Sequence, residues 1–318
     1  MTDRALDQSS PEVGPPEPPA RAKSATPEVA PRRSTGLEAG FKLLVRNPLT
    51  LSGALGSLAL CAVALLGPWM TLYPTGIESL TRTLHEALLP PSLAHPFGTD
   101  WHGSDVLSKV ILGTRISLTI GIFASLLSMV IGVIVGVLSG YFGGWLDTIL
   151  MRLTDVVLAF PSLLLTILIA ASLGSGLTSV FLALTVSGWA GTGRMVRGLV
   201  LSLREREYVL AAVAAGAGPT RIVTRHILPN CLSTLIVLFT MRIGITILSE
   251  ASLNFLGLGA PSDAPSWGVM VFYGMDHMRQ APWCSIWPAS AIALTVLCFN
   301  FLGDGLRDAL DPRMRDVL

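Results

Sequence analysis

Long stretches without a charged residue constrain this chain more than any other feature of its sequence. No charge occurs between Arg46 and Glu78, or between Arg115 and Asp147. About 20 consecutive apolar residues are enough for a helix to cross the hydrocarbon core of a bilayer. Only 14% of the residues are charged, against about 25% in soluble domains. The sequence therefore predicts an all-α integral membrane protein.

Six apolar runs have the length of a spanning helix. Pro161 lies inside the third run, where a proline bends a membrane helix and acts either as a hinge or as a packing feature. Arginines stand before the first run and after the fourth and sixth, and positive residues favour the cytoplasmic side of a membrane. Both termini are therefore predicted to be cytoplasmic. The predicted spans lie near 49–72, 116–138, 153–173, 177–193, 232–256 and 284–303.

The two ends of the chain differ in composition from its middle. Residues 1–36 contain seven prolines and no aromatic side chain, which is typical of a disordered tail. This tail lacks the apolar core of a cleaved signal peptide. We divide the remainder into a first span with an extracytoplasmic segment (37–112), a transmembrane domain (113–305) and a cytoplasmic tail (306–318).

Several classes of function find no support in the sequence. The net charge is +1 and no basic patch alternates with aromatics, so nucleic-acid binding is not indicated. No phosphate-binding loop and no catalytic motif occurs. The four cysteines are widely spaced without a CxxC pair, which favours free thiols over a zinc site or disulfides. We expect a non-catalytic subunit without a cofactor of its own.

A polar island interrupts the apolar runs at 207–230. Ser202 and Glu205 have the spacing of a capping box, which predicts that a helix begins there. Gly216 then breaks this helix, and Pro219 suits the first turn of a second one, predicted over 220–228 and ending at Pro229. One face of the first helix consists mainly of alanine and would allow close approach of another backbone. The pattern favours either a folded loop or a hairpin that docks on a soluble partner. The alanine face is formed by Tyr208, Ala211, Ala212 and Ala215.

A polar segment at 73–114 contains histidines and acids, and two readings of it are possible. His85, His95 and His102 stand near Asp100 and Asp105. Their spacing matches no compact metal-binding motif. A packed extracytoplasmic segment is the alternative to a metal site.

Two ionisable residues fall within the fifth predicted span. A charge at mid-bilayer costs about 2.5–3.5 kcal/mol on insertion scales, so Arg242 and Glu250 should face the bundle interior or a wet cavity. Their spacing places them about 12 Å apart along the helix and about 80° apart around it, too far for a direct pair. Either each is neutralised by another helix, or they line a translocation path.

Five blocks of sequence, spread from about residue 35 to 315, resemble the permease subunits of bacterial ABC importers for dipeptides and oligopeptides. The resemblance is to the subunit usually labelled C. They are HPFGTDWHGSDVLSKVILGTR, GYFGGW–AFPSLLL, the polar island, EASLNFLGLG–PSWG and FNFLGDGLRDALDPR. The resemblance implies the type I importer fold and a place in the bacterial plasma membrane.

The polar island resembles the coupling loop of these permeases, whose pattern is E-A-A, three residues, G, nine residues and I-x-L-P. Leu210 stands where the family has Glu, and His226 stands at the Ile position. The resemblance implies that the loop, taken as 194–230, contacts the ATPase. The candidate coupling residues are Glu207, Leu210, Ala211, Ala212, Gly216, Arg225, Leu228 and Pro229.

The resemblance also implies the partners of such a chain. They are a second homologous permease, two ATPase subunits that bind ATP and Mg²⁺, an extracytoplasmic substrate-binding protein and membrane lipid. The resemblance implies that the chain forms half of the translocation pore of an ATP-driven importer of dipeptides or oligopeptides. The same architecture importing nickel, glutathione or another small solute is an alternative. A membrane scaffold or receptor subunit without transport is the alternative from another class.

Overall fold

The computed structural model describes residues 47–71, 73, 86–259 and 265–310. His85, the predicted tail at 1–36 and the part of the predicted tail 306–318 that follows residue 310 lie outside these residues. The described chain is helical apart from its connections, with one isolated β-bridge between Thr99 and Asp105. The all-α prediction is confirmed. The division into domains stays a prediction.

Ten α-helices follow one another in the described residues. They are α1 (Pro48–Met70), α2 (Val106–Phe142), α3 (Gly144–Ala159), α4 (Ser162–Leu173), α5 (Leu177–Arg204), α6 (Glu207–Ala214), α7 (Pro219–Ile222), α8 (Leu228–Phe255), α9 (Trp267–Met275) and α10 (Trp283–Leu310), with a π-helical turn, Val223–Ile227, between α7 and α8.

Four helical segments in the described residues are long and apolar enough to cross a membrane, namely α1, α2, α10 and the continuous segment Pro219–Phe255. A fifth span arises if α3 and α4 are counted together. These two helices meet at 92° beside Pro161, so the predicted kink is a break rather than a gentle bend. The predicted fourth span corresponds to α5, which carries arginines and is not among the candidates; six spans and cytoplasmic termini remain predictions.

Several predicted boundaries were wrong because helices continue through charged residues. The second predicted span, 116–138, is part of α2, which has 37 residues and includes Lys109 and Arg115. A helix of this length measures about 55 Å, nearly twice the hydrocarbon thickness. The fourth predicted span likewise extends through Arg194 and Arg197 to the end of α5.

Glycines on α2 explain why it packs so closely against α5. Gly132, Gly136 and Gly140 recur every four residues on one face of α2. A β-carbon on Gly136 would lie 2.6 Å from the carbonyl oxygen of Gly193, and one on Gly132 would lie 2.7 Å from that of Trp189. Small residues allow membrane helices to approach at backbone distance. The pair α2–α5 therefore makes the most extensive helix–helix contact in the described chain.

The segment before α2, residues 86–105, folds onto the ends of α2 and α10, and we call this side of the molecule the entry-segment end. Trp283 Nε1 donates to the carbonyl oxygen of Thr99 at 3.1 Å, and the ring of Phe97 stacks on Trp287 at 3.9 Å. The opposite side, where α6 and α7 lie, is the hairpin end.

Buried charges hold the entry segment together. Lys109 Nζ lies 2.5 Å from Asp100 Oδ2, and His95 Nδ1 lies 3.0 Å from Asp105 Oδ1. Asp105 also caps α2 by accepting from the backbone N–H of Ser108 at 2.8 Å. No group of three or more potential metal ligands occurs among the described residues. The two acids already have partners, which favours the packed segment over the metal site.

Candidate functional site

The hairpin predicted to dock on a partner consists of α6 and α7 joined by a glycine corner. Gly216 has φ +84°, a conformation that favours glycine. The N–H of Ala217 donates to the carbonyl oxygen of Ala212 at 3.0 Å, and that of Gly216 donates to Val213 at 2.9 Å. This pair of bonds is a Schellman motif. Pro219 then occupies the first turn of α7. The predicted corner is confirmed.

One side of the hairpin is buried against the bundle. Val209 on α6, Ile222 at the end of α7 and Ile227 in the π turn are at most 1% exposed. They join an apolar cluster with residues of α2, α5 and α8, including Val200 and Leu235. The burial of three branched side chains fixes the orientation of the hairpin on the bundle.

The opposite side of the hairpin is exposed, and most of the candidate coupling residues lie there. Leu210 is 54% exposed and Tyr208 is 43% exposed. Ala212 and Leu228 are partly buried. The remaining candidates, all exposed, are Glu207, Ala211, Gly216, Arg225 and Pro229. No methyl or larger group stands within 4 Å of a β-carbon built on Gly216. The predicted alanine face is thus open to a partner.

Two predictions about the hairpin boundaries were wrong. No helix begins at Ser202, because α5 continues to Arg204 and the hydroxyl of Ser202 donates back to the carbonyl oxygen of Leu199 at 2.8 Å. The N-cap of α6 is Arg206, without a side-chain cap. The first part of the predicted loop 194–230 is therefore helical and belongs to α5.

The second hairpin helix does not end at Pro229. The π turn Val223–Ile227 connects α7 to α8, and Pro229 lies in the first turn of α8. The N–H of Leu228 donates to the carbonyl oxygen of Val223, five residues back. Because the hydrogen-bond pattern is already displaced there, the missing N–H of a proline is tolerated. The hairpin is continuous with a spanning helix.

Ion pairs fasten α3 to α5 beside the hairpin, and sequence reasoning did not identify them. Arg197 donates to both carboxylate oxygens of Asp147 at 2.6 Å, and Ser139 also donates to that carboxylate. Arg194 pairs with Asp155 at 2.6 Å on the exposed surface. Asp147, Arg194 and Arg197 lie outside the predicted spans, whereas Asp155 falls inside the third predicted span, 153–173. The separation of these residues in the sequence gave no sign of pairing.

Glu250 is fully buried and bound by neutral donors. Asn254 Nδ2 lies 2.5 Å and Ser266 Oγ 2.9 Å from its Oε1, and Ser117 Oγ lies 3.4 Å from its Oε2. The four side chains connect α2, α8 and the residue before α9. We call them the Glu250 cluster. Their burial favours a packing role for Glu250 over contact with a solute.

Arg242 has a different environment. It lies near the midpoint of α8, partly buried between α2 and α5, and its Nε has no hydrogen-bond partner in the described part of the chain. Ser128 Oγ on α2 is also without a partner there. The structure therefore does not bring Arg242 and Glu250 together, as their spacing predicted.

Comparison with known proteins gives one family. Residues 132–316 match the family model described as binding-protein-dependent transport system inner membrane component. The match begins in the second half of α2 and includes the hairpin, Arg242 and Glu250.

Curated relatives cover most of the chain. A protein of Shigella flexneri named glutathione transport system permease protein GsiD is 45% identical over 270 residues, which are 85% of this chain and 88% of the relative. The protein of the same name from Pectobacterium atrosepticum is 42% identical over 275 residues, 86% of this chain and 90% of the relative.

A solved structure shares the fold. The MetNI methionine ABC transporter in an inward-facing conformation superposes with a TM-score of 0.55 at 20% identity, covering 64% of this chain and 98% of the matched chain. At this identity the likeness concerns the fold alone.

Proposed function

Because this chain belongs to the family of binding-protein-dependent transport system inner membrane components, we propose that it forms half of the translocation pore of an ATP-driven importer for a small peptide. It is an ABC importer permease of the bacterial inner membrane with the type I fold. The other half of the pore is a homologous permease. An extracytoplasmic binding protein delivers the solute at the entry-segment end.

The observation that supports this proposal is the two-sided hairpin. Its buried side, with Val209 and Ile222, is fixed on the bundle, while Leu210 and Ala211 lie on its exposed side. A helix hairpin that is packed on one side and exposed on the other suits a groove on a soluble partner. We propose that two ATPase subunits supply the groove, bind ATP and Mg²⁺, and carry out the hydrolysis. This chain performs no covalent chemistry and binds no cofactor.

Motion of the ATPases would reach the pore through a continuous helix. The hairpin leads through the π turn into α8 without a flexible connection, and α8 carries Arg242 at its middle. Displacement of the hairpin therefore moves the helix that crosses the membrane rather than a loose loop.

Glutathione is the solute that we propose first. Relatives at 42% and 45% identity are named as glutathione permeases. Dipeptides and oligopeptides are the second candidate, since the EASLNFLGLG and HPFGTD blocks resemble their importers. Nickel complexes are a third solute that uptake assays would distinguish.

The test is an Ala211→Trp variant, expressed with the second permease, both ATPases and the binding protein. Ala211 is exposed on a helix, so the indole disturbs the partner contact and not the fold. We expect purified complexes to lose the ATPases and cells to lose glutathione uptake. Ser172→Trp, at an exposed position of α4, is the matched control and should keep both.

Two results would contradict the proposal. Normal ATPase recovery and uptake with Ala211→Trp would show that the hairpin is not the docking surface. An unmodified chain that purifies with its partners but supports no solute flux would favour a scaffold or receptor subunit.

A further inference from the structure

The side chain of Arg242 is partly buried between α2 and α5 and has no acidic partner among the described residues. It lies near the midpoint of α8. Its Nε has no partner, and none of the ion pairs among the described residues includes it. Glu250 lies about 12 Å away along the helix, and its oxygens are engaged by Ser117, Asn254 and Ser266. The positive charge is therefore uncompensated within the described chain.

The backbone of α5 makes room for this guanidinium. A β-carbon built on Gly188 would overlap Arg242 Nη2 and would lie 2.6 Å from Ser128 Oγ. Any other residue at this position would displace the arginine. Gly188 thus allows the guanidinium and the hydroxyl of Ser128 to lie at the same point between α2, α5 and α8.

The two side chains form a set of donors suited to a carboxylate. A guanidinium binds carboxylates in a planar, bidentate geometry, and a hydroxyl can donate a further hydrogen bond. Both Ser128 Oγ, which is fully buried, and Arg242 Nε lack partners in the part of the chain that the structure describes. A buried donor without an acceptor is unfavourable, because it has lost its hydrogen bonds to water. An incoming carboxylate would remove this cost.

We propose that Arg242 and Ser128 form a carboxylate-binding site on the translocation path, at which the importer recognises an anionic peptide solute such as glutathione. This inference rests on the proposed function and assigns the solute chemistry of the pore to named residues. Glutathione fits the requirement because it carries two carboxylates and only one ammonium group.

A separate cavity lies towards the hairpin end, and its lining does not include Arg242 or Ser128. Met241, which precedes Arg242 in the sequence, lines this cavity of about 490 Å³ between α5, α8 and α10. Ligand pockets for small molecules typically measure about 300–1,000 Å³. Its polar lining consists of Ser233, Thr234 and Arg307, and no acid lines it among the described residues. Arg307 near the end of α10 offers a second cation towards the hairpin end.

The experiment compares uptake of glutathione with uptake of glutathione amide, in which a carboxamide replaces the glycine carboxylate. Cells carry the complete importer, and uptake is normalised to assembled complex. We expect Arg242→Gln to lower glutathione uptake at least tenfold and to abolish the preference for the acid over the amide. Arg242→Lys should keep part of both, because it retains the charge without the planar geometry.

Two glycine variants test whether the position of the Arg242 guanidinium matters when its charge is unchanged. Gly188→Ala leaves every charge in place but displaces the guanidinium, and it should lose the preference for the acid. Gly191→Ala is the matched control on the same helix, since nothing stands within 4 Å of its β-carbon, and it should behave like the unmodified chain.

Three outcomes would overturn the inference, and they are distinguishable. Unchanged uptake and unchanged preference with Arg242→Gln would remove the arginine from solute recognition while leaving the proposed function intact. Loss of the second permease from Arg242→Gln complexes would show that the arginine pairs with an acid of that subunit. Absence of glutathione uptake by the unmodified importer would overturn the proposed solute and the carboxylate site with it.

Discussion

Polar side chains lie at two places in the contact between α2 and α8. They differ in whether residues of the chain supply their hydrogen-bond partners. Near the entry-segment end, Glu250 receives hydrogen bonds from Ser117, Asn254 and Ser266, all nearly inaccessible to solvent. Nearer the middle, Arg242 Nε is left without a partner in the described chain. A buried polar group whose hydrogen bonds are made within the chain stabilises one packing arrangement. A buried polar group without such bonds can still bind a ligand.

The same contrast holds between the two ends of the molecule. At the entry-segment end, Gly98 is crowded by Trp283 and by the carbonyl oxygen of Leu89. At the hairpin end, Gly216 has a similar positive φ but no neighbour within 4 Å of a β-carbon. The space around Gly98 is filled by residues of the same chain, whereas the space around Gly216 is open to a partner.

The largest effect that tests this comparison should come from Glu250→Ala. The change leaves a cavity and three donors without their acceptor, and we expect the free energy of unfolding to fall by about 4 kcal/mol. Unfolding by SDS in mixed micelles measures this. Glu250→Gln keeps an acceptor oxygen and should cost much less. If Glu250→Ala leaves the free energy of unfolding unchanged, the Glu250 cluster does not stabilise the entry-segment end.

A pair of glycine substitutions should cause different losses of stability at the two ends of the molecule. Gly98→Ala combines strained backbone with overlap of fixed neighbours, for a loss of about 3 kcal/mol. Gly216→Ala has only the backbone strain, for a loss of about 1 kcal/mol. The same SDS titration compares them. Equal losses would mean that the crowding around Gly98 relaxes without cost.

The smallest effect should distinguish two serines one turn apart on α2. Ser125 Oγ bonds to Thr246 Oγ at 2.7 Å, so Ser125→Ala should cost about 1 kcal/mol. Ser128 Oγ has no partner in the described chain, so Ser128→Ala should not lower the free energy of unfolding. It should reduce the preference for glutathione over its amide. A larger stability loss for Ser128→Ala than for Ser125→Ala would reverse this distinction.

The apolar runs predicted most helices but not where they end. Composition identifies the part of a helix that lies in lipid, whereas Lys109 and Arg197 remain helical because Asp100 and Asp147 compensate their charges. Those acids lie on other elements, and a one-dimensional pattern does not reveal the pairs.

The candidate site was predictable where the signal was local. Gly216 and Pro219 marked the hairpin corner correctly because each acts through its own backbone. The capping box failed because Ser202 lies within a helix that packing extends. Glu250 was marked by the cost of its charge, but its partner Ser117 is 133 residues away and was not identified.

The π turn before α8 makes the hairpin sensitive to helical phase. A π turn contains one residue more than an α-helical turn would need, so it behaves as a single-residue insertion in the continuous segment Pro219–Phe255. Removing one residue from Val223–Ile227 would restore a regular helix and rotate the hairpin by about 100° about the axis of α8. The alanine surface would then point away from its partner, although no contacting side chain had changed.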